Sequence, residues 1–195
     1  MNTISPAPSR QTPLNNLSKN SLLLVIAPHA GMPLMFETAA RLAINGNVHV
    51  LDGGNRFNIY PLSLAIGRFT PRLKETLSHI TLARAFTCYQ MITLFEETPA
   101  LPTPLLVLDL LSTFLDESVT LTESQRLLQL GITHLERLTR MAPVVVSVKP
   151  LLALSANRLP LLDQLQQAAS NVIRLEAPRP SATQAPMLWP GEASK

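Results

Sequence analysis

The chain is short of cysteine, aromatic rings and charge. Its single cysteine, Cys88, excludes an internal disulfide and fits a reducing compartment. Phe, Trp and Tyr make up only 5% of the 195 residues, which leaves little from which to build a stacking platform for single-stranded nucleic acid. Charged residues supply 15% and the net charge is +3. That mild basic excess is compatible with a polyanion partner but far from a protein that coats nucleic acid. No apolar run approaches the roughly 18–20 residues needed to cross a bilayer, so no membrane partner is expected. The first twenty residues lack the hydrophobic stretch of a secretory signal. No acid occurs before Glu37, as in an organelle transit peptide, but Pro6, Pro8 and Pro13 break the amphipathic helix such a peptide needs.

What is present is apolar residues in short runs. Hydrophobic content is 46%, enough to bury a sizeable core and offset the entropy of ordering the chain. Residues 1–20 are polar and proline-bearing and read as a disordered tail, 21–176 as one domain, and 177–195, with Pro178, Pro180, Pro186 and Pro190, as a second loose tail. Within the domain, runs at Ser21–Ala27, Val48–Leu51, Ile80–Ala83, Leu105–Asp109, Val144–Val148 and Val172–Leu175 read as strands, nearly all of them apolar. Helices are expected between them, at Leu34–Ile44, Phe57–Phe69 (weakened by Pro61), Thr87–Glu97 and Arg158–Ala169. The longest starts at Thr122-Glu-Ser-Gln125, which has capping-box spacing, and continues through Leu128, Ile132, Leu135 and Leu138. Gly131 inside it costs about 1 kcal/mol relative to Ala, which implies close packing there.

Strands alternating with helices predict an α/β fold: a three-layer, open, mainly parallel sheet with helices on both faces. Ligands of such sheets sit at the carboxyl ends of the strands, where loops begin at Pro28, Asp52, Phe86, Asp109 and Lys149. The stretch Leu22–Leu34 stands out. It reads as a buried strand, a turn and a helix start, the layout of a phosphate-gripping loop, with Pro33 suited to the first helical position.

Five pieces in order resemble the ATPase core of the RecA-like recombinases, especially the archaeal and eukaryotic branch. Leu22–Ala27 and its turn stand where that family has a strand and Walker A loop. Val50-Leu51-Asp52 resembles the second strand, and Ala83-Arg84-Ala85-Phe86 with Gln90 the ARAF segment of that branch. Leu105–Asp109 resembles Walker B, with Ser112-Thr113 following, and Val144–Lys149 the strand that ends in a polar sensor. The resemblance covers Leu22–Leu175 and implies a P-loop NTPase fold of the RecA type.

The departures fall on the chemistry. A Walker A loop reads GxxxxGK[ST], with glycines for close backbone approach, Lys for phosphate charge and a hydroxyl for magnesium. Here Ala27, Pro28, His29, Ala30, Gly31, Met32, Pro33 and Leu34 form a degenerate version. Met32 replaces the second glycine, Pro33 the lysine and Leu34 the hydroxyl. Gly53 or Gly54 stands where the family carries its water-activating glutamate. No ordinary ATP hydrolysis is expected, no residue is assigned a catalytic role, and neither ATP, magnesium nor another metal is expected as a cofactor. The loops that contact DNA in the family are short here (Ser112–Thr120, with Asp116 and Glu117) or sparsely basic (Lys149–Pro160, with Lys149 and Arg158).

For each candidate residue a bland role stands beside the functional one. Asp109 is expected to be a structural carboxylate bonded to the turn beside it rather than a metal ligand. Asp52-Gly53-Gly54-Asn55 is a candidate to bind a ribose or a base, against glycines that simply serve tight turning; Asp52, Asn55 and Lys149 line the strand-end crevice. His29, Asp52 and Asp109 lack any ligand-spacing signature. His49, His134 and Cys88 are expected to be structural. Arg56, Arg68, Arg72 and Lys74 lie with Arg84 in a stretch whose only acid is Glu75, and are candidate nucleic-acid contacts or a solvated face in equal measure. Trp189 is a docking residue or a lone tail aromatic. The implied role is a catalytically degenerate RecA-like protein that binds DNA, another RecA-like subunit or a second copy of itself, as an accessory factor in recombination or repair. Its expected location is the cytoplasm, at the nucleoid, or the nucleus of a eukaryote. The alternatives are a nucleotide- or metal-binding enzyme or sensor using the same crevice, with His29 as base, and a purely structural domain of a complex.

Overall fold

The computed structural model describes residues 17–151 and 157–176. Of the tails expected at 1–20 and 177–195, residues 1–16 and 177–195, Trp189 among them, lie outside the described residues, as does 152–156 of the loop after Val148. The domain begins earlier than Ser21: Leu17 packs against the core and Asn20 N–H donates to the Thr139 carbonyl at 2.8 Å.

Among the described residues, six parallel strands form one sheet: β1 (Leu22–Ile26), β2 (Val48–Asp52), β3 (Ile80–Arg84), β4 (Leu105–Leu108), β5 (Val144–Val148) and β6 (Asn171–Arg174). Their order is β3-β2-β4-β5-β1-β6. β1 and β4 do not pair with each other; each pairs with β5, which lies between them. The helices are α1 (Met32–Asn45), α2 (Ile59–Gly67), α3 (Leu73–Ser78), α4 (Cys88–Glu97), α5 (Leu121–Thr139) and α6 (Leu159–Ala168). This is the α/β open sheet that the alternation of apolar runs predicts.

The strand period of two divides the core. Leu22, Leu24 and Ile26 of β1, Leu105 and Val107 of β4, and Val144, Val146 and Val148 of β5 join one buried cluster with α4, α5 and α6. Their neighbours Leu23, Val25, Leu106, Leu108 and Val145 point the other way and join α1 and α2. Strands covered on both faces need apolar residues at every position, which is why these runs do not alternate with polar ones.

Local chemistry sets the helix ends. α5 is capped by Thr120, whose Oγ1 accepts the Glu123 N–H at 3.3 Å. The N-cap is therefore Thr120, two residues earlier than Thr122, and Glu123 turns its carboxylate to Arg126 rather than back to the Thr120 N–H. Pro61 sits in the first turn of α2, where N–H groups lack intrahelical partners anyway, and Pro33 is the second residue of α1 rather than the first. No periodic run signals α3, which is six residues long and mostly exposed. Gly131 does serve close packing: a Cβ there would lie 3.0 Å from Ile92 Cδ1 and 3.4 Å from the Phe95 ring of α4. Among the described residues, no helix is long and apolar enough to cross a membrane.

Candidate functional site at the strand ends

The loop leaving β1 curls tightly. His29, Ala30 and Gly31 take successive left-handed conformations, with φ of 53°, 55° and 61°. For a non-glycine residue this conformation costs roughly 1–2 kcal/mol, so the turn is held by its surroundings. Ala30 is buried and its N–H donates to the Ala27 carbonyl at 3.0 Å. Gly31 is required twice over, by its φ and because a Cβ would press on Ala27 and Val25 at 3.2 Å. The rest of the loop is spent on packing. Met32 is buried and Leu34 packs on the α1 side. The His29 side chain makes no hydrogen bond or ion pair to the described residues. The loop presents neither a fixed cation nor a hydroxyl.

The charges lie on the neighbouring strands. Asp52 ends β2 and is wholly buried. Its Oδ1 accepts the Arg56 N–H at 2.9 Å, and its Oδ2 accepts the Phe57 N–H at 2.9 Å and Arg84 Nε at 3.1 Å. A carboxylate with these donors shapes the loop after β2 and orients Arg84 from β3. Arg84 also donates through Nη2 to the Phe57 carbonyl at 3.0 Å. Asp109, 1% exposed, follows β4 in a left-handed conformation, with φ of 51°. Its Oδ2 receives Arg56 Nε at 3.0 Å and Lys149 Nζ at 3.2 Å. Its own N–H donates to Ser147 Oγ of β5 at 3.1 Å. Its Oδ1 is buried without a hydrogen-bond partner. Asp109 thus bonds two distant cations instead of the adjacent turn, and it is Asp52 that holds a turn. Gly54 belongs to this arrangement: a Cβ there would come within 2.5 Å of Asp109 Cβ and Oδ2.

Two ion groups, Asp52–Arg84 and Arg56–Asp109–Lys149, therefore stand side by side, joined into one network through the Arg56 backbone N–H on Asp52. Asn55 stands beside them, exposed and left-handed, with φ of 51°. His29 has no part in the network, and among the described residues no three His, Cys, Asp or Glu side chains come together to hold a metal.

The four candidate nucleic-acid contacts do not make one face. Arg56 precedes α2 at the carboxyl end of the sheet. Arg68, Arg72 and Lys74 follow α2, and the chain there leads into the start of β3, at the opposite end. The three are exposed, with Arg72 held 3.6 Å from Glu75. The two cations of the loop after β5 are also engaged. Lys149 bonds Asp109. Arg158, 6% exposed, donates to Ser124 Oγ and to the carbonyls of Asp116 and Val119 at 2.7–3.0 Å. This guanidinium fastens the loop after β4 to the start of α6.

The ARAF segment has local employment. Arg84 serves Asp52, Ala85 is buried, and Phe86 is 68% exposed with its N–H donated to Gln90 Oε1 at 2.8 Å. Thr87 caps α4 by accepting the Gln90 N–H at 3.2 Å. Cys88 is buried at the start of that helix, and burial pushes its thiol pKa up. It is an unreactive thiol in this setting. No protein-family model and no curated protein matches the chain.

Proposed function

We propose that this chain is a RecA-like domain that has given up hydrolysis and works by binding, as an accessory or mediator factor in DNA recombination or repair. The observation that carries the reading is the occupancy of Asp109. ATP hydrolysis in P-loop enzymes needs a magnesium ion between the phosphates and a strand-end carboxylate, with a lysine and a hydroxyl from the loop. Here Lys149 and Arg56 share one oxygen of that carboxylate, and Met32, Pro33 and Leu34 fill the loop positions. A metal bound through that oxygen would have to displace two of the chain's own cations.

The partner favoured by the surface is a protein, either another RecA-like subunit or a second copy of this chain. Among the described residues β3 is an edge strand paired with β2 alone, and Leu82 on it and Phe86 just after it are exposed. An open edge with apolar neighbours is a template for strand pairing. DNA is the weaker candidate, because the basic residues are divided between opposite ends of the sheet.

The test is phosphate release by the purified protein with magnesium and ATP, alongside sedimentation and DNA anisotropy at about 50 and 200 mM salt. The expected result is no turnover, with self-association or binding to a RecA-like subunit. Magnesium-dependent turnover abolished by Asp109→Asn would sink the proposal. One observation favours the second reading, a nucleotide or metal sensor: the unpartnered Asp109 Oδ1. A melting temperature raised by a nucleotide or a divalent cation, and lost in Asp109→Asn, would establish that reading instead.

A further inference from the structure

We infer that Arg56 and Arg84 form a receptor for a small organic oxyanion, a phosphate monoester or a carboxylate, carrying an apolar group. The site is a shallow cleft of about 690 Å³ whose lining includes both arginines, Asn55, Phe57, Ile59 and Leu82. That volume lies in the range of small-molecule sites.

The arginines are aimed before any ligand arrives. Each gives its Nε to a buried carboxylate, Arg56 to Asp109 and Arg84 to Asp52. Asp52 also fixes the Arg56 backbone, so one carboxylate holds both residues in register. Both side chains are 37% exposed. Both Nη groups of Arg56 and Nη1 of Arg84 make no hydrogen bond to the described residues. A guanidinium anchored through Nε presents its other edge as a fork that matches two oxygens of a phosphate or carboxylate.

Charge points the same way. Arg56, Arg84 and Lys149 face Asp52 and Asp109, which leaves one positive charge unanswered in the network. The first turn of α2 adds its positive end at Asn58 and Ile59 on the same wall. Phe57, Ile59 and Leu82 supply apolar surface for the body of the ligand. Arg68, Arg72 and Lys74 lie beyond α2 and do not extend this basic surface into a track, so the site suits a small anion rather than a nucleic-acid backbone. The inference is independent of the hydrolytic reading: ATP turnover would overturn that one and leave this one standing.

The experiment is dye-based thermal denaturation of the full chain with phenyl phosphate, benzoate or inorganic phosphate, at ionic strength matched with chloride. At ten times Kd, phenyl phosphate or benzoate is expected to raise Tm by about 3–6 °C. The more effective of the two identifies the source as phosphate ester or carboxylate. Arg84→Gln should remove the shift. Because Arg84 also supports Asp52, Leu82→Glu provides the second variant. It leaves the network intact, sets a like charge against the anion on an exposed edge strand, and should weaken binding at least tenfold. No shift with either aromatic anion, or a shift that survives in both variants, would overturn the inference. So would inorganic phosphate acting as strongly as phenyl phosphate.

Discussion

Arg158→Met tests how the loops at the strand ends are held. Arg158 is a buried cation whose hydrogen-bond acceptors are all neutral: Ser124 Oγ, the Asp116 carbonyl and the Val119 carbonyl. Hydrogen bonds to a charged group are worth about 1.5–3 kcal/mol each. Their gross loss is reduced by two effects. Burying the guanidinium carries a desolvation cost of several kcal/mol, which the variant no longer bears. Asp116 is exposed and Val119 half-buried, so water can replace the donor at both carbonyls. Ser124 is fully buried and cannot be rehydrated in this way. Methionine fills most of the vacated volume. The net loss expected is about 3 kcal/mol, or roughly 6–12 °C in Tm for a chain of this size. Urea denaturation of wild type, Arg158→Met, Ser124→Ala and the double variant closes a cycle. Ser124→Ala should destabilise the wild type by about 1 kcal/mol. In the Arg158→Met background the same change should be neutral or stabilising, because the stranded hydroxyl is gone. A loss under about 1 kcal/mol for Arg158→Met, or additive effects in the cycle, would refute the clamp.

Gly54→Ala should cost about 1–3 kcal/mol by forcing Asp109 away from Arg56 and Lys149, whereas Gly67→Ala, with nothing within 4 Å of its Cβ, should be neutral or slightly stabilising; chemical denaturation of both checks the contrast. Glu123 supplies a pH test: the hydrogen bond from Arg126 holds its carboxyl below the ordinary value of 4.5. A depressed folded-state value means stability that is present above pH 4.5 and lost as pH falls through the lower value. The Tm gap between wild type and Glu123→Gln should therefore be full above pH 4.5 and close below it, and a gap independent of pH would count against the Arg126 pairing.

The strands are legible in the sequence because each central one is buried on both faces and so must be a continuous apolar run. Leu105–Leu108 and Val144–Val148 announce themselves in this way. α5 is legible from its leucine spacing, but its start is ambiguous, because Thr120 and Thr122 both precede a Glu or Gln by three residues. α3 carries a mixed polar sequence too short for periodicity to register. Strand-end logic places Asp52, Asp109 and Lys149 where the loops leave one end of the sheet. It does not find their bonding, since Asp52–Arg84 and Asp109–Arg56 join residues from different loops and no local spacing encodes them. Grouping Arg56 with Arg68, Arg72 and Lys74 fails for a related reason. Proximity in sequence hides the helix that carries the chain from one end of the sheet to the other. The left-handed turn at His29–Gly31 is hard to foresee because alanine rarely takes that conformation and here it stands in the middle of the turn.

Every apolar side chain of the central strands β1, β4 and β5 answers to only one of the two helical layers, since neighbours along a strand face opposite ways. The sheet is a partition between two nearly separate mutational territories. A lineage could rewrite the packing of α1 and α2 residue by residue while α4, α5 and α6 kept theirs, with substitutions across the divide adding independently. The sequences of such descendants would diverge faster on one side than the other, and their common ancestry would be easiest to recognise in the layer that had been left alone.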